Sequence, residues 1–268
     1  MKLPIITKNL EKQGEIDLPK QFNEKLRKDI IKKAVEAEQS QNRQTYGAAP
    51  RAGKRHSSFL SKRRHKYRST YGIGQSRTPR KIMSRRGTRI NYVGATAPMT
   101  VGGRRAHPPK AEKKWAKKIN LRERNLAMRC AISATISKPL AEQRGHILPQ
   151  EYPFVVDDSI LVINKTKDVI NFLASLGLKE ELERAQVKKV RPGKGKGRTR
   201  KYKKKKTALI VVDSDCDLIK SASNIPGIDI VKVDELSTEA LAPGTVPGRL
   251  TLWTKKAVEK LTKDNLYM

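Results

Sequence analysis

ALIVVDSDCDLIKSASNIPGIDIVKV, residues 208–233, decides the fold. ALIVV (208–212) is a short, β-branched, wholly apolar run, the pattern of a strand buried on both faces. A polar turn follows at Asp213, Ser214 and Asp215, then a short helix around 218–223, and residues 228–233 make the next strand. The same alternation extends outward. Residues 249–253 read as a further strand, with Thr254 capping a final helix through Lys260. Upstream, 152–156 is a short apolar strand, and 166–176 is a helix with Gly177 as its C-terminal stop. A further helical turn or two is expected at 178–185. Asn120 and Glu123 form a capping-box pattern that opens an alanine-rich helix over 121–141, with Pro139 placed to kink or end it. Near the N-terminus, 2–18 alternates around Gly14 as short strands or a hairpin. Over 24–44, Leu26, Ile30, Ala34 and Ala37 recur at helical spacing, widened by Ile31 and Val35. Strands separated by helices predict an α/β body: a mostly parallel sheet with helices on both faces, a Rossmann-like layering.

The charge is distributed differently from the fold. Residues 39–111 contain no Asp or Glu and carry 13 Arg and 5 Lys; residues 188–206 are also acid-free and carry 9 Lys and 3 Arg. These two segments supply 30 positive charges of a net +33, while the other 29 basic residues face 26 acids. Charge so concentrated points to a polyanionic partner. Between 39 and 111 the large apolar residues are Phe59, Leu60, Ile73, Ile82, Met83, Ile90, Val93, Met99 and Val101, interrupted by glycines and prolines. By itself such a segment is expected to be disordered or extended. The expected division is 1–38 and 112–268 as the body, with 188–206 a basic segment of it, and 39–111 as a long inserted loop. If the loop leaves and returns, each arm of roughly 36 residues spans at most ~120 Å. A body of 195 residues has a radius of gyration near ~16 Å, so the loop reaches well beyond it.

Several motifs resolve to simple readings. Asp213 and Asp215 after a buried strand resemble a phosphatase turn, but acids there commonly serve as turn formers and helix caps, and no Ser/Thr or Lys partner motif can be placed. GKGKG (193–197) lacks the GKS/GKT ending and the preceding strand of a nucleotide-binding loop; it suits a nucleic-acid backbone better. Gly72-Ile73-Gly74 is too short for a dinucleotide fingerprint. His56, His65, His107 and His146 never stand four apart, and Cys130 and Cys216 belong to no CxxC, so neither a metal nor a cofactor is expected. Two distant cysteines, no apolar run of 18 residues and no secretory pattern over 1–9 predict an intracellular chain without a membrane span. Ala127, Ala131 and Ala134 suit close helix-to-sheet packing; Trp115 and Trp253 read as core or edge packing.

Arginine dominates the long run, and its planar fork binds phosphate with two hydrogen bonds and stacks on bases. Tyr46, Tyr67, Tyr71 and Tyr92 are interspersed as stacking platforms. No helix-turn-helix, zinc-finger or basic-zipper pattern supplies a DNA recognition helix. Irregular, glycine-rich basic extensions suit a folded RNA with crevices to fill.

At this point the residues resemble a known family. YGIGQSRTPR (71–80), GGRRAHPPK (102–110), RGH (144–146), RPGKGKGR (191–198) and LAPG…PGRLTLWT (241–254) occur in the order found in large-subunit ribosomal protein L-four of the archaeal and eukaryotic type. The chain stops soon after its last helix, without the long C-terminal extension of eukaryotic members, and carries extra basic residues over 51–68 relative to bacterial ones; it resembles the archaeal form. The resemblance implies no enzymatic activity and a cytoplasmic place in the large ribosomal subunit. It implies a body on the subunit surface, early rRNA binding during assembly, and a loop reaching the polypeptide exit tunnel. Partners would be several rRNA domains, neighbouring proteins including L-twenty-two at the constriction, and the nascent chain in passing; no membrane and no homo-oligomer are implied.

On this resemblance the rRNA contacts fall to Arg51, Lys54, Arg55, Arg63, Arg64, Lys66, Arg68, Tyr71, Arg77, Arg80, Lys81, Arg85, Arg86, Arg89, Arg104, Arg105, His107 and Lys110 in the loop. In the second run they fall to Arg191, Lys194, Lys196, Arg198, Arg200, Lys201, Lys203 and Lys204. The tunnel tip is expected within 83–97: Met83, Ser84, Gly87, Thr88, Ile90, Asn91, Val93 and Gly94, with Gly87 and Gly94 permitting bends and Met83, Ile90 and Val93 as the apolar wall. Two other classes remain at this stage. One is an RNA-processing or phosphoryl-transfer enzyme with a basic substrate arm, which would need convergent acids that the loop lacks. The other is a nucleic-acid chaperone without a fixed site.

Overall fold

The computed structural model describes residues 1–67 and 69–268; Arg68, one of the RNA-contact candidates, lies outside the described residues. Two compact units divide the chain, one of Met1–Asn42 with Ala116–Met268 and one of Arg43–Trp115. The division falls four residues later at each end than the change in charge. In chain order the first elements are β1 (Lys2–Ile6), β2 (Lys12–Asp17) and α1 (Lys28–Gln41), followed in the second unit by β3 (Arg80–Arg86) and β4 (Arg89–Gly94). Then come α2 (Leu121–Ile136), α3 (Lys138–Gln143), β5 (Val155–Val156), α4 (Thr166–Leu173), α5 (Lys179–Gln186), β6 (Lys189–Val190) and β7 (Tyr202–Lys203). The last are β8 (Leu209–Val212), α6 (Asp217–Ala222), β9 (Asp229–Lys232), α7 (Thr238–Leu241), β10 (Thr251–Thr254) and α8 (Lys255–Lys263).

The first unit is built on a six-stranded sheet of order β2-β1-β5-β10-β8-β9, parallel except for the β1–β2 hairpin. It is an α/β fold. Alternation along β8 explains the layering. Leu209 and Val211 join the core beneath α1, α2 and α8, with Trp253, Val155 and Met128. Ile210 and Val212 turn to the opposite core, among Phe172, Leu173 and Leu218 of α4 and α6. Successive side chains of a strand point to opposite faces, so a strand covered on both must be apolar throughout. Each of these four is at most 1% exposed and contributes roughly 1.5–3 kcal/mol by leaving water.

Several local expectations are revised. Asn120 makes no side-chain cap, so that half of the expected capping box is missing. The Glu123 carboxylate meets Lys33 of α1 at 2.7 Å and is also reached by the Asn120 backbone amide, so the Glu123 half of the box persists beside a long-range ion pair. α2 ends at Ile136, Ser137 is extended, and Pro139 sits in the first turn of α3, where its missing N–H costs little. α1 begins at Lys28 because residues before it are held extended against α2: the Glu24 carbonyl accepts from Ser133 Oγ at 2.7 Å, and the Lys25 carbonyl from the Cys130 thiol. Gly177, at φ +81°, does close the helix that begins at Thr166, through a wide turn after Leu173. Thr254 caps α8, its Oγ1 accepting from the Ala257 amide.

The second unit is not devoid of regular structure. β3 and β4 pair antiparallel through a two-residue connection at Gly87 and Thr88, with Gly87 at φ +55°. A register shift between Ile82 and Ser84 makes Met83 the extra residue of a bulge. Its buried described residues are only Ser61, Ser69, Ala95 and Ala97. Few apolar residues leave it to be held by backbone hydrogen bonds and close glycine contacts rather than by a core.

Candidate nucleic-acid interface

Small residues bring two chain segments of the second unit side by side. The Ala48 amide donates to the Pro109 carbonyl at 2.9 Å. A Cβ at Gly53, whose φ is +70°, would lie 2.5 Å from the Arg104 Cα; one at Gly103 would lie 2.0 Å from the Ala97 carbonyl oxygen. Glycine alone permits these approaches. They place Lys54, Arg104 and Arg105 around one shallow concavity. No carboxylate exists between 39 and 111 to neutralise them, so the potential there is strongly positive. Of the described RNA-contact candidates, Arg80, Lys81, Arg104, Arg191 and Tyr71 are half-buried and the others exposed.

The aromatics divide between tasks. Tyr46 stacks on Trp115 with ring centroids 4.6 Å apart, and the Arg43 guanidinium lies within 5.2 Å of both ring centres. Lys113 stands 5.1 Å from the Trp115 ring. Sequence reasoning passed over Arg43 and Lys113; the only cue was their position beside the two aromatics. Arg64 and Arg77 lie over Tyr71, and Arg80 over Tyr92 at 5.3 Å. Such contacts hold guanidinium planes in fixed orientations. The expected tip residues also separate. Gly87 makes the turn, but Gly94 needs no unusual backbone; its missing Cβ leaves room for Thr100, whose methyl would be 2.8 Å away. Asn91 Nδ2 donates to Ser84 Oγ at 2.9 Å across the hairpin. Ile90 lines a concavity with Ile82, whereas Met83 and Val93 are exposed outside it. The three therefore do not form one apolar wall.

In the first unit the second basic run forms a ribbon. Lys189 pairs with Lys203 and Val190 with Tyr202, and the Arg191 amide donates to the Lys201 carbonyl at 2.8 Å. Gly193, at φ +79°, leads into a single turn over 194–197 that leaves Lys194, Lys196 and Arg198 exposed. The ribbon's return is fixed to the body. Lys206 pairs with Asp229 at 2.7 Å, and its carbonyl accepts from Arg184 at 3.2 Å. Arg184 in turn grips Glu181, whose carboxylate also meets His146 Nδ1 at 2.6 Å and accepts from the Ile147 amide. Burial pushes the Glu181 carboxyl up, but the hydrogen bonds from His146 and Arg184 outweigh it and its pKa is lowered. Arg144, donating to the Pro243 and Val246 carbonyls, is lowered to about 10 by burial and then by the nearby charges of Arg249 and Arg184. It remains charged at neutral pH. The RGH motif is thus scaffold for the ribbon's base.

The acidic turn after β8 is occupied by structure. Asp215 pairs with Lys232 at 2.7 Å, the Asp213 carbonyl accepts from Lys260, and Asp217 opens α6. Cys130 is buried, and burial raises its thiol pKa, the opposite of an activated nucleophile. Among the described residues no three His, Cys, Asp or Glu side chains are grouped to hold a metal, and no helix is long and apolar enough to cross a membrane.

Residues 16–264 match the sequence model of the Ribosomal protein L4/L1 family. The chain belongs to that family. The large ribosomal subunit protein uL4 of Nanoarchaeum equitans is similar to it at 47% identity over 268 residues, 100% of each chain. That of Archaeoglobus fulgidus is 44% identical over 262 residues, covering 97% of this chain and 98% of the relative. That of Thermoplasma volcanium is 41% identical over 267 residues, covering 98% of each. Members of the L4/L1 family are structural ribosomal proteins and not enzymes, so the acids after β8 carry no catalytic role here. The L4/L1 match covers the 71–80, 102–110, 191–198 and 241–254 motifs together.

Proposed function

We propose that this chain is a cytoplasmic structural constituent of the large ribosomal subunit, a primary rRNA-binding protein that joins early in assembly. Its second unit, with the hairpin of β3 and β4, forms part of the polypeptide exit tunnel wall. Family membership supports the place in the subunit. The observation that carries rRNA binding is the charge-segregated architecture: a nearly balanced α/β body, plus a second unit whose one acid is Glu112 and an acid-free ribbon, both with largely exposed cations. Oriented arginines with interleaved aromatics suit phosphates and unstacked bases of a folded RNA. The hairpin supports the tunnel reading, since a narrow ribbon turning at Gly87 carries Arg86 and Arg89 paired at its end. Neighbouring partners would include L-twenty-two and, in passing, the nascent chain; the protein acts as a single copy, without a membrane.

Two measurements test this. The chain should co-sediment with large subunits after a high-salt wash, and release by that wash would refute integral membership. A photoreactive residue at position 89 should crosslink to nascent peptide as well as rRNA. Crosslinks to surface rRNA alone would rule out the tunnel placement.

A further inference from the structure

We propose that a concavity in the second unit, floored by β3 and β4, is a stacking pocket for one unpaired nucleobase of a folded RNA. This rests on the rRNA-binding reading above. The bulge at Met83 sets which side chains share the floor. By adding one residue between Ile82 and Ser84, it puts Ile82 and Arg85 on the same side of the hairpin as Ile90 and Tyr92. Residues on either side of position 68, from Phe59 to Tyr67 and from Ser69 to Gln75, line the other side, and the open concavity has a volume of about 780 Å³, within the roughly 300–1,000 Å³ of small-ligand sites.

Phe59 is the residue that singles out this place. Its backbone is tied to Arg80 by two hydrogen bonds, of 3.1 and 3.3 Å, so its position is fixed. Its side chain nevertheless leaves the residue 69% exposed, beside Ile73 at 56% and Ile82 at 58%. A flat ring and two aliphatic side chains held open to water and gathered in one concavity of a strongly cationic unit form a surface prepared for an apolar, planar guest. The rim chooses among such guests. Arg64, Lys66, Arg80 and Arg85 surround it and no carboxylate does. An apolar peptide side chain would gain nothing from four cations, whereas every nucleobase arrives between two phosphates. Arg80 is already oriented over Tyr92, and Arg64 over Tyr71, so these guanidinium planes are ordered before binding. Gln75 and Thr88 supply an amide and a hydroxyl near the base edge.

The test uses the full chain and a large-subunit rRNA transcript, with affinity measured across a series of salt concentrations. Stacking on one aromatic ring gives an expected loss of about tenfold for Phe59→Ala, because each stacked base contributes on that order. The slope of affinity against salt should stay unchanged, since no phosphate contact is removed. Phe59→Tyr should restore binding, and Arg85→Ala should lower the slope by about one phosphate's worth. Because the Phe59 ring is exposed, folding should be unaffected, which the circular dichroism of the variant checks. Unchanged affinity in Phe59→Ala would overturn the pocket while leaving rRNA binding intact. A loss accompanied by a lower slope would overturn it too, showing that the ring only positions cations. Failure of the unsubstituted chain to bind the transcript would overturn the underlying reading as well.

Discussion

The Arg249 guanidinium lies 2.6 Å from the Asp229 carboxylate, with the arginine side chain 1% exposed. Asp229 begins β9 and Arg249 precedes β10, so the pair spans the start of β8, which lies between those strands. Arg249 Nε donates to the Thr207 carbonyl at 2.8 Å and Nη1 to the Ala240 carbonyl at 2.8 Å. One buried side chain therefore ties together the sheet end where the basic ribbon rejoins the body. Burial lowers the Arg249 pKa, opposed by the charge and hydrogen bond of Asp229.

Replacing Arg249 by Met should destabilise the first unit by about 3 kcal/mol, because the Thr207 and Ala240 carbonyls lose their donor and Asp229 keeps only Lys206. Urea unfolding should show a lower midpoint with an unchanged slope. A midpoint equal to that of the unsubstituted chain would show that the clamp contributes nothing.

Glu181 gives a pH dependence with a definite sign. Its folded pKa is below the ordinary 4.5, so the stability it supplies is present above that value and is lost as pH falls through the folded pKa. Glu181→Gln should be less stable than the unsubstituted chain at neutral pH, and the gap should close in acid below about pH 4.5. A gap that widened in acid would reverse the assignment. Thermal unfolding at several pH values reads it directly.

Gly53→Ala should disturb only the second unit. Its Cβ would collide with the Arg104 backbone, while Gly102→Ala, at φ +69° but facing open space, carries backbone strain alone. Trypsin should cut within 43–115 faster in Gly53→Ala than in Gly102→Ala, with the unfolding midpoint of the first unit unchanged in both. Equal cleavage rates would mean that the two segments do not pack at this point.

Lys203, Lys204 and Lys205 are exposed, whereas Lys206 is held by Asp229. Changing the first three to Ala should flatten the salt dependence of rRNA binding by roughly two units at ~0.7–0.9 per phosphate. Lys206→Ala should instead act mainly on stability. A slope unmoved by the triple change would remove this cluster from the RNA contact.

The α/β alternation, the two cationic segments and the Thr254 cap are legible in short stretches of sequence. Each depends on neighbours within a few positions: the apolar length of 208–212, the absence of acids from 39 to 111, a hydroxyl before a helix. Strand order depended on more. β10 enters between β5 and β8 because its edges satisfy hydrogen bonds from strands roughly 40 and 100 residues away, which no local period records. Tertiary pairing likewise brought Lys33 onto the Glu123 carboxylate at the start of α2, and turned Arg249 from a strand residue into a buried clamp. In the second unit the sparse apolar residues foretold the lack of a core but not the hairpin, whose stability comes from backbone pairing and a glycine turn. Phe59 shows the same division: composition made it one of a few apolar residues in a basic run, and only the two hydrogen bonds to Arg80 hold its ring open at the edge of a pocket. Local chemistry sets which residues are apolar, charged or able to cap; distant partners decide which of those groups are buried, paired or left exposed.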